Sequence, residues 1–317
     1  MNRSAALGAV FGTTTAVTWG GQFVVGKSAL ARLDPFPLTA IRYAIAAGIL
    51  LGVLWLVEGR RALRTDGKML QLTWLGALGF AGFNLFAYTG LAHARPQSAS
   101  LIVALAPLLT AIVLWVRDGT RPSRLTFAAL AVALVGVALV VSRGHPSSIW
   151  NGSIGWGDAL VLAGVLSFVV YTLGAARHAE LSPLRYTALT AALGWPTIMA
   201  ATIVGTAAGW VPTPSAGAVW DIAPQIAYLT VPGAVIAVVT WNAAVERLGP
   251  QNAVLFGNLI PVTTFVIEIV RGYRPVALEL VGAALTIGAL VVNNVLGRRA
   301  AVMVPARVTA AELRRAA

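Results

Sequence analysis

Apolar runs of about 18 residues or more, long enough to cross a ~30 Å hydrocarbon core as helices, recur along nearly the whole of this 317-residue chain. Inside lipid a helix meets its own backbone hydrogen-bonding needs, so the pattern predicts an all-α integral membrane protein. Ten transmembrane helices are read from it, over residues 7–29, 37–57, 70–91, 97–116, 124–141, 156–177, 184–209, 224–245, 251–270 and 276–297. Charged residues make up 11% of the chain, against ~25% in a typical soluble domain. No stretch is left over for a soluble domain.

One segment of the chain is echoed further along at a constant offset of 154. Pro96, Gln97, Ala99, Leu101, Pro107, Thr110, Val116 and Arg117 reappear as Pro250, Gln251, Ala253, Leu255, Pro261, Thr264, Val270 and Arg271. A weaker echo at an offset of 146 relates Pro37, Leu38, Ala46 and Gly48 to Pro183, Leu184, Ala192 and Gly194. Fixed-offset similarity is the mark of duplicated architecture. Residues 1–145 and 146–297 therefore form two five-helix repeats, followed by a basic tail over 298–317, with the divide in the polar Gly144–Gly155 loop. Five is odd, so the second repeat enters the membrane inverted. Inverted repeats with a solute site at their interface are a common chassis of secondary transporters.

The net charge of +12 raises the question of nucleic acid. Its placement answers it. With the N-terminus inside, sixteen Lys and Arg fall on the cytoplasmic side and six on the other. That asymmetry is the positive-inside rule, so both termini are expected in the cytoplasm and no nucleic-acid partner is expected. Arg3 alone is a poor basic start for a cleavable signal peptide, and the next span follows at once. The absence of cysteine excludes disulfides and thiolate metal sites. Richness in Ala, Gly, Val and Arg points to a GC-rich bacterium and its plasma membrane. Trp55, Trp74, Trp115, Trp156, Trp210 and Trp220 fall near span ends, as an aromatic belt does.

Polar residues inside the spans carry the functional signal, because lipid penalises them. Trp19, Phe23 and Lys27 form one helical stripe with Gln22 beside it. They line a cavity or, on the plainer reading, Trp19 packs between helices and Lys27 snorkels outward. Asn84 and Tyr88 share a face, and Tyr88 maps by the 154 offset onto Asn242, next to Trp241. Tyr171 and Asn258 complete the candidate solute-binding set of Trp19, Gln22, Asn84, Tyr88, Tyr171, Trp241, Asn242 and Asn258; the plainer alternative is interhelical hydrogen bonding. Pro107 and Pro261 are expected as paired mid-helix hinges that free the carbonyls of Val103 and Gly257. Arg42 lies about six residues into its span and is expected to snorkel or find carbonyls; its repeat counterpart is Ala188. Glu268 reads as the best-embedded carboxylate, pairs with Arg271 three residues on, and is the candidate for carrying a proton. There are no paired catalytic carboxylates, no histidine cluster and no Walker loop, so neither an enzyme nor a cofactor or metal site is expected.

The pattern Trp19-Gly20-x-x-Phe23-x-x-x-Lys27, then Asp34-Pro35, Arg42, Tyr88-x-x-Leu91, Ala99 and Pro107, repeated more weakly in the second half, resembles the EamA-type branch of the drug/metabolite transporter superfamily. The resemblance spans about residues 7–297. It implies an exporter of amino acids and related metabolites in a bacterial inner membrane, with a central cavity between the halves. One departure stands out: the family's Gly-Glu pair after the fourth and ninth helices reads Gly119-Thr120 and Gly272-Tyr273 here. The resulting reading is a secondary transporter for small solutes in a lipid bilayer, driven by the solute gradient or by protons. A cavity so poor in charge suits a zwitterion or a neutral solute. A lipid-handling or purely structural membrane protein is the alternative.

Overall fold

The computed structural model describes residues 3–119, 121–143, 145, 155–178, 180–248, 253 and 256–303. The Gly144–Gly155 divide falls largely outside these residues, as do Pro250, Gln251 and Leu255 of the echo and the tail after Met303. Among the described residues there is no strand. The helices are α1 (Arg3–Leu30), α2 (Pro35–Glu58), α3 (Met69–His93), α4 (Pro96–Ala104), α5 (Ala106–Asp118), α6 (Arg124–Val141), α7 (Trp156–Arg177), α8 (Pro183–Ala207), a short α9 (Ala216–Asp221), α10 (Ala223–Leu248), α11 (Leu259–Val270) and α12 (Ala277–Met303).

Local chemistry sets the helix ends. Asp34 caps α2 by accepting from the Phe36 amide at 2.9 Å, with Pro35 at the first position. Ser123 and Ser182 cap α6 and α8 in the same way. Gly119 and Gly272, the retained halves of the altered Gly-Glu pairs, follow α5 and α11 with φ of 72° and 96°. That left-handed turn is where a residue without a Cβ is least strained.

Among the described residues seven helices are long and apolar enough to cross a membrane, eight if the bent α4–α5 pair counts as one span. The count differs from the ten read from the sequence for local reasons. The 28-residue α1 is diluted by Thr13, Thr14, Thr15, Thr18, Gln22 and Lys27, and the 12-residue α11 is short. The expected single helix over 97–116 breaks at Leu105, with α4 and α5 bent by 45°. Helices α3 and α10 each contain a π turn, at Ala77–Gly82 and Val231–Ile236, which repeats the 154 offset of the sequence echo.

Helix α1 packs on α10 and α11, α3 on α7 and α8, α2 on α8, α4 on α11 and α6 on α12. Without a hydrophobic drive between lipid-bathed helices, close approach depends on small residues. At the α3–α8 crossing a Cβ on Gly76 would lie 2.2 Å from the Thr190 carbonyl oxygen. The outward apolar side chains of α6 and α12, such as Val135 and Val292, remain exposed as a lipid-facing surface requires. Trp55, Trp74, Trp156, Trp210 and Trp220 are exposed near helix ends.

Candidate solute site

Two turns into α2, Arg42 does not snorkel. Its side chain is 1% exposed. One terminal nitrogen donates to the Leu229 carbonyl at 3.1 Å and to Gln22 Oε1 at 3.4 Å; the other donates to Asn84 Oδ1 at 3.4 Å. The guanidinium carbon lies 5.0 Å from the Tyr43 ring centroid and 4.9 Å from that of Tyr88. Asn84 is fixed from its other end, where its amide donates to the Tyr43 hydroxyl at 3.1 Å and the Phe80 carbonyl at 2.9 Å. Helices α1, α2, α3 and α10 thus meet around one cation. Among the described residues it forms no ion pair with a carboxylate. Arg42 Nε and the hydroxyls of Tyr88, Thr39 and Thr230 are buried with no partner among those residues.

The π turns shape the positions facing them. A Cβ on Gly233 would lie 2.5 Å from Gln22 Oε1, and one on Gly79 would lie 2.4 Å from the Tyr171 ring. Each glycine leaves room for a side chain from the helix opposite. Trp19 donates its indole N–H to the Gly233 carbonyl at 3.1 Å, and its ring centroid is 5.8 Å from that of Trp241. Tyr171 joins a separate aromatic group, 5.1 Å from Tyr186 and 5.4 Å from Phe80. Phe80 in turn meets Tyr43 at 5.3 Å, so that group abuts the Arg42 cluster.

Of the expected residues, Gln22, Asn84 and Tyr88 are gathered by Arg42, and Trp19 with Trp241 forms a second pair on α1 and α10. Asn258 is buried and Asn242 half-buried; neither hydrogen-bonds to the Arg42 cluster. Sequence reasoning left Arg42 out of the site because an arginine this near a helix start can ordinarily reach the interface. Lys27 does not snorkel either. Its three donors go to the carbonyls of Leu91, Ala92 and Ala94, each at 2.8 Å, and cap the C-terminus of α3.

Pro107 and Pro261 are not mid-helix. Pro107 is the second residue of α5, after the break at Leu105, and Pro261 the third of α11, after the turn at Asn258. A first-turn proline lacks an N–H that the helix does not use, so helices restart comfortably there. Glu268 is not the best-embedded carboxylate. It sits 3.9 Å from Arg271 with its side chain 19% exposed, whereas the Glu279 side chain is fully buried. Glu279 accepts from Arg95 at 2.5 Å, from the Tyr273 hydroxyl at 2.6 and 2.7 Å, and from the Val276 amide at 3.1 Å. Arg95 also donates to the carbonyls of Val140 and Val141, tying the α3–α4 elbow to the ends of α6 and α12. Burial, followed by the bond to Glu279, pushes the Tyr273 hydroxyl above its usual pKa. Glu279 was hidden in the sequence by its place in the first turn of a helix, where a carboxylate is ordinarily solvated. Where the C-termini of α1, α3 and α8 meet the start of α2 lies a cavity of about 610 Å³ lined by Arg32, Asp34, Thr89, His93 and Trp210. None of Arg42, Gln22, Asn84 and Tyr88 lines this cavity.

The sequence pattern of the EamA-like transporter family matches this chain twice, over residues 6–142 and 155–295. The chain is 30% identical over 298 residues to the uncharacterized transporter YrdR of Bacillus subtilis, covering 92% of each chain. It is 29% identical to a probable terminal-alkyne amino-acid exporter of Streptantibioticus cattleyicolor, over 92% of this chain and 96% of that one. A shorter match, 25% identical over 56% of each chain, is to an S-adenosylmethionine/S-adenosylhomocysteine transporter of Chlamydia muridarum. A solved crystal structure at 23% identity superposes with a TM-score of 0.63 over 92% of this chain and 98% of the other, a likeness of fold. The chain therefore belongs to the EamA-like transporter family, as a multi-pass membrane transporter of small-molecule solutes.

Proposed function

We propose that this transporter is a ten-span secondary carrier of two inverted repeats that exports amino acids or similar small metabolites by alternating access. It would sit in a bacterial plasma membrane with both termini in the cytoplasm. The observation that carries the reading is recurrence at one offset. The two π turns, and likewise the two prolines that open restarted helices, are related by the same shift of 154, in a fold whose packing exchanges α1 with α7, α2 with α8, α3 with α10 and α6 with α12. Counting α1, α11 and the bent α4–α5 pair beside the seven long apolar helices gives the ten spans. The family pattern matching once in each half agrees with the duplication.

In this reading the halves rock about a central chamber, with the breaks before Pro107 and Pro261 as the flexible points. Trp19, Gln22, Asn84, Tyr88, Tyr171, Trp241, Asn242 and Asn258 line the path. The amino-acid exporter among the relatives supports that solute class. Export runs down the solute's own gradient or on a proton carried by Glu268. The test is counterflow in proteoliposomes loaded with a pool of amino acids and small metabolites, read by mass spectrometry with and without a pH step. Exchange of one chemical group, lost in folded Asn242→Ala, is the expected result. No exchange by folded protein across the pool would move a lipid-handling or structural role ahead.

A further inference from the structure

Arg42 has five N–H donors, yet among the described residues it makes one bond of ordinary length, to Leu229, and two at 3.4 Å to neutral amides. Its Nε makes none. A guanidinium buried without a countercharge is strongly unfavourable, and neutral acceptors at that distance offset little of it. The Tyr88 ring lies against the guanidinium, and the residue is 4% exposed with its hydroxyl unpartnered among the described residues. The cluster holds several donors around one fixed positive charge and, among the described residues, no carboxylate partner. Glu279 and Glu268 are engaged elsewhere, by Arg95 and by Arg271.

We infer that Arg42 is the solute-binding cation of this transporter, taking the carboxylate of the solute with Tyr88 and Gln22 beside it, and that the same charge excludes amines lacking a carboxylate. The inference rests on the transporter reading and narrows it. A neutral solute does not compensate the guanidinium; a solute carrying a carboxylate does. One guanidinium matches one carboxylate. A phosphate monoester, at about −1.5 to −2 charge, would bring an unmatched negative charge into the site. Guanidinium and carboxylate also match in geometry, two parallel donors to two oxygens. The weak bonds to Gln22 and Asn84 are those such a ligand would displace, while the Leu229 carbonyl keeps the side chain in place.

The test uses the full chain in proteoliposomes and counterflow of matched solutes: amino, hydroxy and keto acids, the carboxamides and primary amines made from the same skeletons, and phosphate monoesters. The expected result is exchange of the acids but not of the amides, amines or phosphate esters. Arg42→Gln should lower acid exchange about 30-fold or more, since removing one member of a buried charge pair has effects of that order. Arg42→Lys should retain the preference for acids while raising the concentration needed for half-maximal exchange. Tyr88→Phe removes one hydroxyl with little threat to folding and should weaken acid exchange severalfold. Equal exchange of acids and amides by wild type, or selective export of amines or phosphate esters, would overturn the inference and leave the transporter reading standing. Unchanged acid selectivity in both Arg42→Gln and Tyr88→Phe would do the same. No exchange of any solute by folded wild type would defeat both.

Discussion

Arg42 on α2 and Ala188 on α8 stand at equivalent places under the 146 offset, and both are buried. Their surroundings differ in kind. Around Arg42, helices α1, α3 and α10 contribute an amide, an amide and a backbone carbonyl. On the Ala188 side α8 presses directly on α3, where a Cβ on Gly194 would lie 2.4 Å from the Gly76 carbonyl oxygen. The repeat counterpart of Gly194 is Gly48, and a Cβ there would meet nothing within 4 Å. The offset thus relates a glycine-sealed crossing on one side to a polar cluster built around a cation on the other. The embedded cation stands at one of the two positions and an alanine at the other. The 146 echo pairs the two positions, and the Arg42/Ala188 mismatch marks where their chemistry parts.

The sharpest way to break this contrast is to put the same side chain at Gly76, inside the α3–α8 crossing, and at Gly48, which is exposed on α2. Gly76→Val forces a β-branched group against the Thr190 backbone, 2.2 Å from where its Cβ would sit. It should destabilise the folded protein by roughly 1–3 kcal/mol, the usual range for overpacking. Gly48→Val has open space and should change stability by less than about 0.5 kcal/mol, as surface substitutions do. Thermal melting of both variants in one detergent checks the pair. Equal losses would mean that Gly76 is packed no more tightly than the exposed Gly48.

Lys27→Met comes next in size. The ammonium caps three carbonyls at the end of α3, and a cation at a partly buried helix C-terminus contributes up to ~2 kcal/mol. A loss of about 1–2 kcal/mol in melting, with α3 fraying back from His93 in hydrogen exchange, is expected. Arg42→Met should have a smaller effect on stability and of the opposite sign. Exchanging a poorly compensated buried charge for an apolar side chain of similar length is often neutral or stabilising. An unchanged or raised melting temperature, beside lost acid exchange, would mark Arg42 as kept for solute rather than for the fold. A large drop in melting would reassign it to structure.

The fold was largely legible because lipid leaves few choices: long apolar runs, loop prolines and glycines, and a fixed-offset echo. The break at Leu105 was half legible. Pro107 announced an irregularity, but a proline can kink a helix or restart one, and the choice depends on neighbours that sequence does not show. The candidate site was read at its edges. Gln22, Asn84 and Tyr88 are conspicuous because amides and a phenol inside spans are unusual, whereas for the cation that gathers them the sequence leaves snorkelling and carbonyl partners both open, and the Leu229 carbonyl realises the second. Depth along a helix can be counted from sequence, but what closes over a side chain cannot. The same limit concealed Glu279, whose burial is set by Arg95 and Tyr273 arriving from other elements.

The smallest expected effect lies where the chain enters the two equivalent helices. Helix α2 is entered through Asp34, which serves as its own cap. Helix α8 is entered through Ser182 as cap, with Glu180 two positions before it paired to Lys68 at the start of α3. The bond from Lys68, Glu180's own backbone N–H and the contact with His178 hold the Glu180 carboxyl down at a pKa of about 2. A folded-state pKa below the unfolded one means that the group stabilises at pH above its ordinary carboxylate value. That contribution fades as pH falls from about 4.3 toward 2. The pair is open to solvent and screened, so the change in melting across that window should be slight. Lys68→Met should return Glu180 to an ordinary carboxylate titration, visible by NMR of a labelled glutamate, and flatten the remaining pH dependence. A Glu180 that titrates normally in the wild type would show that α8 is entered as freely as α2, which would erase the contrast at this end of the molecule and leave the one at Arg42 to stand alone.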